Sequence, residues 1–203
     1  MLLSALVVGL GVVASVSTPP TAAVPPLSRE QAESLRGKLL ELDRRAKRAR
    51  SVAAAPPASV LITQGEINSY VNLVLGPQLP AGLRNVEFRL DSGRIEVHAM
   101  ADLDQVKAQM GVTSIWNPLA LLSGMVSIEL GARLKCDGGF GTFEVDDVRL
   151  GPMAVPPALL SQLVASATRT QQNPAGFDIL APFRLPYGLK RVRVQPGRAS
   201  LEY

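Results

Sequence analysis

Polarity alternates with a period of two in three stretches of this 203-residue chain. In the first, Val86, Phe88 and Leu90 point one way and Glu87 and Arg89 the other. Past the turn Asp91-Ser92-Gly93, Ile95, Val97, Ala99 and Ala101 alternate with Glu96, His98 and Asp102. The second and longest sets Val126, Ile128, Leu130, Ala132 and Leu134 against Ser127, Glu129, Gly131, Arg133 and Lys135. It turns at CDGGFG and returns through Phe143, Val145, Val148 and Leu150, with a slip at Asp146-Asp147 that predicts a bulge. The third turns at Gln195-Pro196-Gly197, with Val192 and Val194 before it and Ala199, Leu201 and Tyr203 after. Alternation broken by a Gly-bearing turn marks a hairpin with one wet and one buried face.

Between these stretches the apolar spacing changes to three and four. Ser28 and Gln31 form a helix-start signal, and Ala32, Leu35, Leu39, Leu42, Ala46 and Ala49 make a narrow stripe on a helix running to about residue 52. Such a stripe either docks shallowly on the domain or pairs with another helix. Thr63 and Glu66 form a second capping box, ahead of a helix with Ile67, Tyr70, Val71 and Val74 on one face. A helical turn or two follows from Asp104, then an apolar patch of Ile115, Trp116, Leu119, Leu121 and Leu122. A Pro-opened helix occupies 155–167.

The order is helix, helix, hairpin, short helix, hairpin, helix, hairpin. That is an α+β plan: a curved antiparallel sheet of about six strands, with helices packed on one face. The first and third hairpins open on near-identical stretches, LPAGLRNV at 79–86 and LPYGLKRV at 185–192. Both are expected to feed a hairpin into the same sheet.

Composition adds an address. Residues 2–16 are apolar or small without interruption, short of the roughly 20 residues of a spanning helix and right for the core of a signal peptide. Residues 1–23 are therefore read as signal peptide or membrane anchor. Residues 24–60 read as a Pro-rich linker and basic amphipathic helix, and 61–203 as the α+β domain. The implied location is exported: periplasm or the outer face of the cytoplasmic membrane. With aromatics at 4%, Leu, Val and Ala must fill the core, and the single cysteine, Cys136, leaves no internal disulfide to help.

The net charge of +4 is local. Residues 29–50 carry 8 basic and 4 acidic side chains, and the rest of the chain balances at 13 of each. The folded part thus lacks the basic footprint of a nucleic-acid binder. Arg44, Arg45, Lys47, Arg48 and Arg50 close the helix, where cations suit its dipole. They are either a solvated helix end or a contact with anionic lipid headgroups, worth about 1 kcal/mol per charge close to a membrane.

Catalytic chemistry is hard to find. His98 is the only histidine, so a polyhistidine metal site is excluded. CDGGFG lacks the Gly-Lys-Ser/Thr ending of a phosphate loop and lies between two strands. Asp102, Asp104, Asp146 and Asp147 are the carboxylates on which a hydrolase reading would rest, but neighbours on a strand face opposite ways. No G-x-S-x-G, H-E-x-x-H or dinucleotide fingerprint occurs. The expectation is a protein that is not an enzyme and uses no cofactor or metal.

The segments ITQGEINSYVN, LPAGLRNVEFRLDSGRIEVHAMADLD, VRLGPMAVPPALLSQLV and PFRLPYGLKRVRVQPGRASLEY, in that order, resemble the exported bacterial proteins of the LmeA-like and YpmS-like groups over about residues 61–203. The matching positions are glycines, prolines and apolar residues, with no catalytic residue among them. The resemblance implies a curved sheet with helices against its concave side, as in tubular lipid-binding domains, and phospholipid binding in the cell envelope.

Taken with the residues, this gives a lipid carrier or binder with an apolar groove. Ile67, Tyr70, Val71 and Val74, with Ile115, Trp116, Leu119 and Leu122, are the candidates for its lining or mouth. Its partners would be a phospholipid or other lipid and the membrane surface. The alternative is an envelope scaffold, in which residues 28–52 pair helices in a homo-oligomer and sheet edges recruit a protein partner.

Overall fold

A computed structural model describes residues 26–49, 58–79, 81–110, 123–169, 171 and 173–203. The chain is α+β, with a larger and a smaller antiparallel sheet. Helix α1 (Arg29–Ala49) precedes strand β1 (Ser59–Thr63) and helix α2 (Gln64–Leu73). The first hairpin is β2 (Leu83–Leu90) with β3 (Arg94–Asp102), followed by α3 (Leu103–Met110). The long hairpin is β4 (Met125–Asp137) with β5 (Phe140–Leu150). After β6 (Met153–Ala154) come α4 (Pro157–Ala167), β7 (Phe183–Arg184) and the closing hairpin β8 (Arg191–Gln195) with β9 (Arg198–Glu202).

The larger sheet has the order β2-β3-β4-β5-β6, with β7 also paired to β5; the smaller is β1-β9-β8. The Asp146-Asp147 slip is a bulge: Gly131 faces Asp147 while Ala132 faces Val145.

The repeated hairpins enter different sheets, which corrects the expectation of one. β1, a strand with no sequence warning, makes the difference. Its five residues SVLIT bury only Ile62, too short a run to show a period, yet they pair with β9 along their whole length. The echoed hairpins instead meet turn to turn. Gly93 N donates to Val194 O (3.1 Å) and Gly197 N to Leu90 O (2.9 Å), while Gln64 N at the start of α2 donates to Gly197 O (2.8 Å). A side chain is dispensable at both turns, where φ is +73° at Gly93 and +70° at Gly197.

The stripe of α1 docks on the domain. Ala32, Leu35 and Leu42 are buried, and Leu35 and Leu42 join Ile62, Leu185, Leu189 and Leu201 in a first core. On sequence this helix belonged to a segment apart from 61–203; in the structure it shares that segment's core. A second core gathers Ala101, Leu103, Val148, Leu150 and Val155 on strands β3 and β5 of the larger sheet, helix α3 and the entry to α4.

The capping box of α2 forms in full: Glu66 N donates to Thr63 Oγ1 (3.2 Å) and Thr63 N to Glu66 Oε2 (2.8 Å). Beyond its cap, α2 buries polar residues. Gln64, Asn68 and Asn72, spaced by four, lie on one helical face and bond the outer edge of β2. Leu90 N donates to Gln64 Oε1 (2.8 Å). Phe88 N donates to Asn68 Oδ1 (2.7 Å) and Asn68 Nδ2 to Phe88 O (3.0 Å). Val86 N donates to Asn72 Oδ1 (3.2 Å) and Asn72 Nδ2 to Val86 O (2.6 Å). An edge strand offers alternate residues with unpaired N–H and C=O groups, and this amide ladder takes the place of a neighbouring strand.

Replacing Asn68 by Ala should strand two buried backbone groups and cost about 2–3 kcal/mol, against about 1 kcal/mol for Asn72→Ala at its half-buried position. Urea unfolding monitored by circular dichroism measures both, and equal small losses would show the ladder to be dispensable.

Candidate functional site

The strand registers put a long apolar surface on one face of the larger sheet. Phe88, Val97, Leu130 and Val148 form one row, Leu90, Ile95, Ala132 and Val145 the next, and Leu134 with Phe143 a third. The 13 residues of β4 extend about 43 Å. The helices available to cover them are much shorter: the 10 residues of α2 span about 15 Å.

Cover is therefore uneven. Val86 and Leu90, beside α2, are buried, and so are Ala101, Val148 and Leu150 in the second core. Along β4 the second core takes Val126, Ile128 and Leu130 and the first takes Cys136. The stretch between, with Phe88, Ile95, Val97, Leu134 and Phe143, stays half-buried among the described residues. At one end Phe143 stacks on Phe183 (ring centroids 5.2 Å), and Phe177 meets Phe183 edge-on (5.5 Å).

The opposite face is charged. Arg94 crosses Gly131 to reach Asp146 (2.5 Å) and also pairs with Glu96 (3.1 Å), while Arg133 lies 3.4 Å from Asp146. A Cβ at position 131 would collide with the Arg94 guanidinium. Glu87, His98, Glu129 and Arg149 form a cross-strand row.

Three of the four carboxylates weighed for hydrolysis have structural partners. Asp146 is held by two arginines. Asp102 Oδ1 accepts from Asp104 N and Gln105 N and so caps α3, and Asp104 Oδ2 accepts from Gly124 N (3.0 Å). Among the described residues no group of His, Cys, Asp and Glu is arranged to hold a metal ion. Nor is any described helix long and apolar enough to cross a membrane.

The sequence candidates separate. Ile67 and Tyr70 pack against the first core, with α1. Val71 and Val74 are half-buried on the same helix. Ile115, Trp116, Leu119 and Leu122 lie outside the described residues, as does Arg50. Arg44 and Arg45 pair with Glu41 (3.9 and 2.8 Å) and Lys47 with Asp43 (2.6 Å); Arg48 is exposed. Arg45 also lies over the Tyr203 ring, 5.2 Å from its centroid, and donates to its hydroxyl.

Sequence reasoning saw Phe88, Val97, Leu130 and Leu134 only as a buried face. The signal that they exceed their cover was the mismatch between strand length and helix length.

One buried ion pair ties α1 to this frame. Lys38 Nζ donates to both oxygens of Glu66 (2.7 and 2.8 Å) and to Leu61 O (2.7 Å), and Ser34 Oγ donates to Glu66 Oε1 (2.5 Å). Burial raises the Glu66 pKa; the bonds from Lys38, Ser34 and the Thr63 N–H, with the Lys38 charge, outweigh it and hold the carboxyl below its ordinary value.

No family model, no curated protein and no solved structure matches the chain.

Two outcomes are expected. A folded-state pKa below the unfolded one stabilises the protein fully above the unfolded value, and this contribution is lost as pH falls through the folded value. Melting temperatures of the wild type should therefore drop on acidification below about pH 4 more steeply than those of Glu66→Gln, which starts lower at neutral pH. Parallel curves would remove the ion pair from the account. Separately, Ile67→Ala should cost about 2 kcal/mol in urea unfolding, as core packing requires; an unchanged midpoint would return Ile67 to the candidate groove.

Proposed function

We propose that this chain is a non-enzymatic protein of the cell envelope that binds or carries a lipid, phospholipid-like, on the apolar face of its larger sheet. The observation that carries the reading is the half-buried set Phe88, Ile95, Val97, Leu134 and Phe143, on the apolar face of the larger sheet between its two cores. Acyl chains need area and shape rather than polar anchors, and such a band supplies both. The apolar run at 2–16 supports export, and the resemblance to LmeA-like and YpmS-like proteins supports an envelope lipid. The structural partners of Asp102, Asp104 and Asp146 and the single histidine support a role without catalysis.

The assembly alternative draws less support. The α1 stripe it would use for helix pairing is packed inside the chain, and the β2 edge is occupied by the amides of α2.

The test is lipid extraction and mass spectrometry on the full chain purified from an envelope fraction under mild conditions. A stoichiometric lipid is expected, with its loss in Val97→Asp and in Leu134→Asp and its retention in Leu73→Asp, which alters an exposed leucine at the end of α2. Far-UV circular dichroism verifies that each variant folds. A lipid-free wild type that also takes up no offered phospholipid would overturn the reading.

A further inference from the structure

The balance of 13 basic and 13 acidic residues outside 29–50 hides an asymmetry that only the fold makes visible. In the smaller sheet, side chains alternate between an inner face, where Ile62, Ala199 and Leu201 are buried, and an outer one. The registers define the outer face as three rows: Arg191, Glu202 and Ser59; Arg193, Ser200 and Leu61; Gln195, Arg198 and Thr63. Three arginines stand there against one acid, and that acid, Glu202, pairs with Arg193 (2.6 Å). Arg191, Arg193 and Arg198 are all exposed.

Lys190, exposed and next in sequence, is fixed at the margin, because its N–H donates to Glu202 O (2.8 Å) and its carbonyl accepts from Gly139 N (3.2 Å). Among these cations sits Leu61, 45% exposed, in the Arg193 row. Leu61, Arg191, Arg193 and Arg198 stand on strands, so these cations keep fixed spacing without the loop ordering that binding would otherwise cost.

We propose that this outer face docks the protein on an anionic phospholipid bilayer. Basic side chains close to such a surface are attracted to it individually, and an aliphatic side chain in their midst has somewhere to go only if the partner is apolar beneath its charge. A polyanion such as a nucleic acid would satisfy the arginines and leave Leu61 in water. The face is distinct from the apolar band of the larger sheet, and the inference rests on the lipid reading only in the choice of a membrane as partner. Docking would bring the candidate groove to the source of its ligand.

The experiment is co-sedimentation of the full chain with vesicles of phosphatidylcholine alone and with about a third phosphatidylglycerol, at about 0.1 M salt. The apolar run at 2–16 contributes to both, so the ratio of the two affinities is the readout. The ratio should favour the anionic vesicles. It should fall at least about tenfold in Arg191→Glu/Arg198→Glu and fall with added salt. Leu61→Ser should weaken anionic binding while leaving the salt dependence in place. Thermal melts and the co-purified lipid of each variant separate loss of docking from loss of fold or of groove occupancy.

Equal binding to both vesicle types, or a charge-reversed variant that binds like the wild type, would overturn the proposal. So would Leu61→Ser binding unchanged, or binding to heparin that the same arginines govern and vesicles do not compete. A wild type that docks but carries no lipid would leave the docking face standing and remove the groove reading.

Discussion

The hydrogen bonds between the amides of α2 and the edge of β2 organise the structure. A five-strand meander leaves its first strand with unpaired backbone groups on the outer side, and such a strand either pairs, aggregates or is covered. Here Gln64, Asn68 and Asn72 supply the missing donors and acceptors at the spacing a helix provides. The consequence is orientational. Because α2 turns its amides to the sheet edge, it turns Ile67 and Tyr70 to the first core and α1. The helix therefore borders the apolar face of the sheet instead of lying across its middle.

That placement leaves the band around Phe88, Val97 and Leu134 half-buried. The two cores each use one part of the long β4–β5 hairpin, Cys136 in the first and Val126, Ile128 and Leu130 in the second. The Phe143–Phe183–Phe177 cluster lies at one end. On the reverse face, cross-strand ion pairs and the bulge at Gly131 keep the sheet polar. One sheet thus carries an apolar band on one face and cross-strand ion pairs on the other.

Polar junctions then fix the peripheral elements. Glu66 joins the α2 cap, Ser34 and Lys38, and Lys38 reaches the carbonyl of Leu61 in β1. Gly65 on α2 faces the Gln31 side chain of α1, whose amide end a Cβ there would displace. Through the turn-to-turn bonds at Gly93 and Gly197, the smaller sheet is held against the first hairpin, and its arginine face looks outward.

The amino-acid sequence by itself determined the local elements. Period-two alternation specified the three hairpins and which side chains of each are apolar, down to the bulge at Asp146-Asp147; the Thr63/Glu66 capping box specified the start of α2; the single histidine narrowed the chemistry. These are short-range effects, set by side-chain direction and by backbone groups a few residues apart. Tertiary structure alone decided which hairpins share a sheet, since the pairing of β1 with β9 joins residues far apart in the chain through a strand too short to show a period. It also decided that Ile67 faces a core rather than a groove, that Asn68 and Asn72 serve a strand edge, and that Leu61, Arg191, Arg193 and Arg198 share one surface. Each of those outcomes depends on which distant backbone groups and apolar faces remain to be covered once the sheets have formed.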